Sequence, residues 1–308
     1  MLLAQQCKQM IDIIIPVYEA RKFLNRALDS IKKQTISNLI YVTIVDDGSK
    51  EKYDDILKKY TLALNIQLIK LPKNKGQGYA KQYGIKKTEN PYLFFMDADD
   101  ILINNKALEL LLNEMLQNNY DIVAGKELIN NKVLIHEGHM VAKLLNRKFI
   151  LKNKIKVPNY PIEEDVAFIM KAYCLSSKEK TKSIKEVIYK YCRRNKNSIT
   201  NKYSIDKGYD YKYFFKSINY VYYSLKNPRK NQYFNNRLAL ILLGLSQAYI
   251  KYYQKAELNT KECFLKNCKC FFQKYIYYYK NIEIIIQIKF TKEESNIIKY
   301  FQNILKNY

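Results

Sequence analysis

Three carboxylates stand together in the run Asp97-Ala98-Asp99-Asp100, directly after the apolar run Tyr92–Met96. Like charges this close repel one another, and a bound cation relieves that repulsion. Carboxylate oxygens are ligands that hard divalent cations prefer. If the strand continued through the run, Asp97 and Asp99 would lie on one side of it. The run predicts a metal site, because the alternative, a cap for the next helix, requires only one Asp.

A second acidic pair, Asp46 and Asp47, closes the apolar run Leu39–Val45 and is followed by Gly48. Turn chemistry alone is a sufficient reason for such a pair. Ligands of parallel α/β sheets, however, bind beyond the carboxyl ends of the strands. We therefore expect this pair to contribute to the same pocket as the Asp97–Asp100 run.

Alternating strand and helix patterns supply the elements that must position these carboxylates. The predicted strands are Ile11–Val17, Leu39–Val45, Ile66–Leu71 and Tyr92–Met96, and the predicted helices are Phe23–Lys33, Tyr53–Tyr60, Gly78–Lys87 and Ala107–Gln117. Nearly continuous apolar runs are typical of strands buried on both faces. Repeated strand–helix units therefore predict an α/β fold with parallel strands and helices on both faces.

The composition changes near residue 204. Residues 201–308 contain 19 Lys and Arg against 7 Asp and Glu, and 17 of the 29 Tyr. Helical patterns there cover Lys207–Leu225, Gln232–Gln254, Lys261–Asn281 and Glu293–Leu305. We expect two domains, residues 1–203 as the α/β domain and residues 204–308 as a basic, Tyr-rich helical region.

Two further motifs bear on nucleotide and proton chemistry. Lys75 and Gly76 begin a glycine-containing turn before a helix, but the turn Pro16–Ala20 after the first strand has no glycine. Dinucleotide-binding folds need glycines at that first turn, so a dehydrogenase is disfavoured. Glu164 and Asp165 begin another helix. They are candidates for a general base, and their alternative role is to complement the helix dipole.

In combination these motifs resemble the family 2 inverting glycosyltransferases of the GT-A fold, in order and spacing, over about residues 10–200. The resemblance rests on Ile13–Tyr18, Val45–Ser49, Asn74–Ile85, Phe95–Asp100 and Glu164–Asp165. It implies a Rossmann-like mixed sheet with helices on both faces, and the C-terminal third lies outside it.

The resemblance also implies roles for individual residues. The donor-side residues would be Pro16, Val17, Tyr18, Glu19, Asp46, Asp47, Lys75, Gly76, Lys81, Asp97 and Arg194. Asp46 would contact the base of the nucleotide and Asp97 its ribose. Asp99, with Asp97, would ligate Mn²⁺ or Mg²⁺ at the donor diphosphate. Asp165 would deprotonate the acceptor hydroxyl, with Glu164 beside it.

The chain departs from the family pattern at two positions. Lys81 stands where many members have Arg, and Lys lacks the bidentate guanidinium fork. Arg194 lies in the segment where relatives often have a His, and we expect it to neutralise the diphosphate unless it belongs to a surface basic run. Of the two His, His136 and His139, the second is the candidate for the acceptor side, although a lone His is more often structural.

The implied activity is the transfer of one sugar from a nucleotide-sugar, UDP being the commonest carrier, to a hydroxyl of a glycan or glycolipid. The family's processive synthases carry a Gln-x-x-Arg-Trp motif and membrane helices, whereas this sequence has no Trp and no long apolar run. The expected setting is envelope glycan synthesis, for lipopolysaccharide, capsule or teichoic acid. We expect a cytoplasmic enzyme that contacts the inner face of the membrane peripherally, and the C-terminal helices also suit an oligomer contact.

The formal charge of +24 over 308 residues is compatible with other functions as well. It favours anionic partners, so a transferase acting on DNA or protein, or a nonenzymatic binder of anionic polymers, is an alternative. Drift in amino-acid composition is another source of the charge. A sugar-nucleotide pyrophosphorylase would require a glycine-rich loop after the first strand. The six Cys show no C-x-x-C spacing, which disfavours zinc and indicates reduced thiols.

Overall fold

The computed structural model describes residues 9–135, 138–192, 211–275 and 290–307. Contacts between Cα atoms divide the chain into two compact units, Met1–Lys196 and Asn197–Tyr308. The boundary expected at residue 203 lies outside the described residues, so that position stays a prediction.

The first unit contains nine strands and six α-helices within its described residues. The strands are β1 (Ile11–Val17), β2 (Ile40–Asp46), β3 (Asn65–Lys70), β4 (Tyr92–Phe95), β5 (Ile101–Leu102), β6 (Ile122–Ile129), β7 (Lys132–Leu134), β8 (Lys143–Asn146) and β9 (Thr181–Lys190). The helices are α1 (Arg21–Lys32), α2 (Asp54–Tyr60), α3 (Gln77–Lys87), α4 (Ala107–Asn118), α5 (Arg147–Lys152) and α6 (Glu164–Leu175). Every strand and helix expected in the first half is present, with ends shifted by one or two residues.

All nine strands belong to one sheet, in the order β3-β2-β1-β4-β8-β6-β9-β5, with β7 paired to β6. The strands β1 to β4 pair in parallel, as strand–helix alternation predicts. Beyond them β8 runs antiparallel to both β4 and β6. The sheet is therefore mixed, which confirms the architecture implied by the family resemblance. Parallel pairing is not confined to the first half, because β6 and β9 also pair in parallel.

Helices cover both faces of this sheet, and β1 contributes side chains to the core on each face. Its residues Ile11, Ile13 and Ile15 are fully buried in one core cluster with apolar residues of α1, α2 and α4. Ile14 points to the opposite face and is buried in a second cluster with residues of α3, α5 and α6. Alternation along one strand thus supplies both cores, and the predicted two-sided packing is confirmed.

The second unit is helical, as predicted. Its helices are α7 (Lys212–Ser224), α8 (Gln232–Ala248), α9 (Leu258–Lys274) and α10 (Lys292–Asn307), and α8 continues into the π-helix Tyr249–Tyr253. Aromatic rings fill its core: the ring centroids of Phe215 and Phe271 are 4.3 Å apart, and those of Tyr253 and Phe264 are 4.1 Å apart. Across the described parts of both units, no helix combines the length and the apolar character that a membrane span requires.

Gly48 allows the loop after β2 to pack against the loop after β3. Its φ is +75°, and a Cβ atom would lie 2.5 Å from the backbone carbon of Lys73. We expect Gly48→Ala to lower the free energy of unfolding by about 1–3 kcal/mol, because the new methyl group strains both loops. Urea denaturation measures this change.

The matched control is Gly244→Ala in the middle of α8, where a Cβ would meet nothing within 4 Å. There we expect the free energy of unfolding to rise by about 0.5–1 kcal/mol, since Ala is the better helix former. If both variants changed the free energy of unfolding in the same direction, the assignment of Gly48 to a close backbone approach would be contradicted.

Candidate active site

The Asp97–Asp100 run forms a turn beyond the end of β4. The strand ends at Phe95, and the Asp100 N–H donates a hydrogen bond to the Asp97 carbonyl at 3.2 Å. The strand therefore does not continue through Asp99, so the condition under which Asp97 and Asp99 would share one side of a strand is not met. The helix-cap alternative is wrong, since α4 begins only at Ala107.

Residues from distant parts of the chain fasten this turn. The Asp97 N–H donates to the Tyr189 hydroxyl at 3.0 Å, and the Asp100 carboxylate accepts from the Cys192 N–H at 2.7 Å. The guanidinium of Arg26 donates to the Asp99 carbonyl oxygen. The local sequence carries no sign of these partners, which lie on β9, just beyond β9 and on α1. They fix the backbone and leave the carboxylates of Asp97 and Asp99 to the site.

The electrostatics of the turn suit a bound cation. Burial, together with neighbouring carboxylates, raises the pKa of Asp97 to about 6 and that of Asp100 to about 8. Burial also raises the pKa of Asp99. Among the described residues no group of three or more His, Cys, Asp or Glu side chains could hold a metal by itself. The oxygen donors of Asp97 and Asp99 fit Mn²⁺ or Mg²⁺ when substrate and water oxygens complete the coordination.

A buried ion-pair cluster joins α3 to the start of α6. The Lys81 ammonium lies 2.9 Å from Glu164 Oε1 and 2.6 Å from Asp165 Oδ1. The side chains of Lys81 and Glu164 are only 3% and 2% exposed, whereas Asp165 is 20% exposed. Of the two carboxylates, Asp165 is therefore the one that a substrate can reach.

Burial and charge act in opposite directions within this cluster. Burial raises the pKa of Glu164 to about 7, against the opposing attraction of Lys81. Burial also acts to raise the pKa of Asp165, but Lys81 outweighs it and leaves that pKa below its ordinary value. Burial alone would lower the pKa of Lys81, but Asp165 and Glu164 hold it above its ordinary value. The cluster thus keeps Asp165 ionised near neutral pH.

The Lys81 ammonium faces the carboxylates of α6, and the donor-side role inferred from the resemblance stays a prediction. Two neighbours reinforce the same junction. Gln82 accepts a hydrogen bond from the Val157 N–H at 2.8 Å, and Gly78 approaches the segment before α6 so closely that a Cβ would lie 2.4 Å from the Pro158 carbonyl oxygen. The α3 helix therefore positions the segment that leads into α6, whose first turn carries the candidate base.

The acidic pair at the end of β2 accepts hydrogen bonds that hold the neighbouring loops in place. Both carboxylate oxygens of Asp47 accept backbone hydrogen bonds, from the N–H groups of Lys75 and Gly76, each at 2.8 Å. The fully buried Asp46 accepts from the Ser49 N–H at 2.8 Å. Asp47 thereby ties the loop after β3 to the end of β2, and the nucleotide contacts of both residues stay predictions.

The turn after β1 lies beside the same edge of the sheet. Pro16 and Val17 belong to β1, and the Glu19 N–H donates to the Ser49 hydroxyl at 3.0 Å. Tyr18 is 53% exposed, so its ring is open to a planar ligand. The turn therefore joins the Asp46 loop as one surface, as the predicted nucleoside cradle requires.

Two basic residues were expected near the diphosphate. The Lys75 ammonium lies 4.4 Å from the centroid of the Tyr79 ring, a cation–π contact. Arg194 lies outside the described residues, and so does His136, the first of the two His.

A second charged cluster was missed in the sequence. The Glu127 carboxylate lies 2.8 Å from His139 Nδ1 and 3.8 Å from the Lys143 ammonium. Glu127 sits on β6 and Lys143 on β8. No local motif marks Glu127, because its partners become neighbours only when these strands pair.

Sequence comparisons place this geometry among known proteins. Residues 12–175 match the glycosyl transferase family 2 profile. The chain is 28% identical over 257 residues to the poly(ribitol-phosphate) β-N-acetylglucosaminyltransferase TarP of Staphylococcus aureus (strain N315), covering 74% of this chain and 76% of TarP. It is 30% identical over 193 residues to a poly(ribitol-phosphate) β-glucosyltransferase of Bacillus spizizenii, covering 54% of this chain but only 30% of that protein.

Solved structures agree in fold. The S. aureus TarS 1-349 crystal structure superposes with a TM-score of 0.73 at 17% identity, covering 97% of this chain and 89% of that one. Its complex with UDP-GlcNAc gives a TM-score of 0.73 at 18% identity, with 97% and 91% coverage. Identities this low establish the fold alone. Because the family match spans more than half of the chain and the fold agrees, this protein is a glycosyltransferase and belongs to glycosyl transferase family 2.

Proposed function

We propose that this protein transfers a single sugar from a UDP-sugar to a hydroxyl of an anionic polyol-phosphate polymer, in bacterial envelope glycan synthesis, with inversion at the anomeric carbon. The observation that carries the proposal is the Lys81–Glu164–Asp165 cluster, whose Lys81 also lowers the pKa of Asp97 against the effect of burial. The names of TarP and of the Bacillus enzyme, both acting on poly(ribitol-phosphate), support the choice of acceptor.

In this proposal Asp165 is the general base. It is more exposed than Glu164, and Lys81 keeps it ionised. An ionised carboxylate that reaches the acceptor hydroxyl takes its proton as the oxygen attacks the anomeric carbon. One displacement from the face opposite the leaving group inverts that carbon. Glu164, which is buried, orients Lys81 and through it Asp165.

On the donor side, Asp97 and Asp99 would hold a divalent cation. When bound, such a cation stabilises the negative charge that develops on the departing diphosphate. The protein's own contribution is to present the two carboxylates from a turn whose backbone is fastened by Tyr189 and Arg26. Tyr18 would stack on the base, and the Asp46 and Asp47 loop would support the nucleoside.

The charge of the chain favours a polyanionic acceptor. The formal charge of +24 is strongly positive, and residues 201–308 alone contribute 19 basic against 7 acidic side chains. A polyol-phosphate polymer carries negative charge along its length, so a basic protein attracts it over several ångströms at low salt. A neutral glycan would gain nothing from this charge.

The test is to incubate the protein with UDP-GlcNAc or UDP-glucose, Mn²⁺ and a synthetic ribitol-phosphate oligomer, and to measure UDP release and glycosylated product. We expect transfer that weakens as salt rises. A neutral oligosaccharide is the control acceptor. Transfer to the neutral acceptor alone would contradict the polyanionic acceptor, and the absence of any UDP release would contradict the proposed reaction.

Metal removal gives a separate prediction. We expect UDP with Mn²⁺ to stabilise the protein by about 2.7 kcal/mol at 100 times its Kd. EDTA should remove most of this gain, since the Asp97 and Asp99 carboxylates would lose the cation that links them to the diphosphate. Thermal unfolding measures the change in Tm. The Asp99→Asn variant should lose the part of the Tm increase that depends on Mn²⁺. The Asp54→Asn variant, at an exposed position of α2, should keep it.

A further inference from the structure

Glu127 is a carboxylate with no exposed surface, held in the middle of the mixed sheet. Its oxygens lie 2.8 Å from His139 Nδ1 and 3.8 Å from the Lys143 ammonium, and Lys143 is also fully buried. Burying a carboxylate is costly unless opposite charges and hydrogen bonds compensate it. Lys143 supplies the charge, and His139, whose side chain is 34% exposed, connects the pair to the surface.

The sheet register places this group beside the candidate active site. Glu127 on β6 is paired with Tyr189 on β9, at a point where the register shifts by a bulge. Directly paired residues project to the same face of a sheet, and bulges often re-aim side chains beside active sites. The hydroxyl of Tyr189 accepts the Asp97 N–H at 3.0 Å. Glu127 is therefore the direct cross-strand neighbour of Tyr189, the residue that fastens the Asp97 turn.

Electrostatics connect His139 to both halves of the site. Burial and Lys81 dominate the pKa values of Asp97 and Asp165, and the imidazole of His139 lowers both of them. These shared effects, together with the pairing of Glu127 with Tyr189, indicate that His139 lies in the neighbourhood of both carboxylates.

The Glu127 contact also defines what the imidazole can do. A carboxylate beside Nδ1 accepts a hydrogen bond from the Nδ1–H group, which fixes both the tautomer and the ring orientation. In the neutral ring, Nε2 is then a hydrogen-bond acceptor. The group that such a nitrogen recognises is a hydroxyl, whereas a phosphate oxygen has no hydrogen to offer it.

We propose that His139, oriented by Glu127, binds a hydroxyl of the acceptor beside Asp165 and is an acceptor-recognition residue of this enzyme. The inference rests on the proposed function and deepens it. Glu127 is a positioning residue that acts through His139, and Lys143 compensates its charge. A polyol acceptor presents several neighbouring hydroxyls, so one can meet His139 while another meets the base.

Two substitutions of His139 separate its two nitrogens. His139→Asn keeps an amide near the position of Nδ1, facing Glu127, and removes the Nε2 contact. His139→Gln places its amide near the position of Nε2. With the ribitol-phosphate oligomer as acceptor, we expect His139→Asn to raise the acceptor KM about 10-fold, the effect of one lost hydrogen bond, and His139→Gln to recover part of it. The rise in acceptor KM should be clearly larger than any loss of UDP affinity, which separates recognition of the acceptor from a general disturbance of the site.

The variant Glu127→Gln tests positioning and should raise the acceptor KM by a larger factor than it changes UDP affinity. If it unfolds because Lys143 loses its partner, the double variant Glu127→Gln, Lys143→Met removes both buried charges and takes its place. An acceptor KM for His139→Asn equal to that of the wild type would overturn the inference, as would a parallel loss of UDP affinity. A wild-type protein that neither hydrolyses the UDP-sugar nor transfers the sugar would overturn the proposed function and this inference together.

Discussion

Replacing Asp165 by Asn is expected to reduce kcat for sugar transfer by about 100- to 10,000-fold, the usual contribution of a general base. An amide cannot accept the proton of the acceptor hydroxyl. Lys81 keeps Glu164 as its partner at 2.9 Å, so the fold should tolerate the change. UDP affinity should stay within about twofold, because the proposed function assigns Asp165 to the acceptor side. Steady-state kinetics and calorimetric titration with UDP measure the two quantities.

The matched control for this variant is Asp54→Asn, which makes the same chemical change in the first turn of α2, on an exposed side chain. It should leave kcat unchanged. A large loss of kcat in Glu164→Gln, together with near-normal turnover in Asp165→Asn, would transfer the role of base to Glu164.

Replacing Lys81 by Met is expected to lower the free energy of unfolding at neutral pH by about 3–5 kcal/mol, the typical result of removing one partner from a buried ion pair. Met has a similar length but no charge, so Glu164 and Asp165 would stay buried without compensation. Activity should fall as well, since Asp165 would lose the charge that keeps it ionised. Urea unfolding followed at several pH values measures the loss.

The pH dependence of this loss follows from the directions of the pKa shifts. The pKa of Asp165 lies below its ordinary value of 3.8, so its pairing stabilises the fold above that pH and is lost as pH falls through the lowered pKa. The pKa of Lys81 lies above its ordinary value of 10.5, so its contribution is complete below that pH and is lost as pH rises through the raised pKa. The difference between wild type and variant should be largest between these limits and shrink in strong acid.

The control for Lys81→Met is Lys86→Met, on the exposed side of the same helix. Exposed substitutions of this kind change stability by about 0.5 kcal/mol or less. Equal losses from the two variants would show that the charge cluster contributes nothing beyond helix propensity.

The sequence revealed the parts of the fold that depend on local pattern. Buried strands such as Ile11–Val17 can be predicted because their apolar residues are nearly continuous. The reversal of β8 left no such trace: direction within a sheet is decided by the connections, and β8 is only four residues long. Asp97 and Asp99 were recognisable as site candidates because several carboxylates in one run are costly, but the turn that carries them was not.

The partner of Lys81 could not be read from the sequence either. Its carboxylates lie 83 and 84 residues further along the chain, and resemblance alone pointed the ammonium toward the donor. The role of Glu127 could not be predicted for the same reason, since an isolated Glu in a strand pattern has no local signature. Long-range charge pairing is decided by tertiary packing, which local periodicity does not encode.

The position of β9 in the sheet has a consequence for the order in which the site is assembled. This strand, Thr181–Lys190, is inserted between β6 and β5, although it is the last of the described strands in the chain. Tyr189 and Cys192, which fasten the Asp97–Asp100 turn, therefore arrive about ninety residues after the carboxylates they support. Pairings of such long range form slowly. A chain that ends at residue 175, where the family match stops, contains the acidic turn and Arg26 but neither Tyr189 nor Cys192. We therefore expect the turn to reach its final shape only when residue 192 is present.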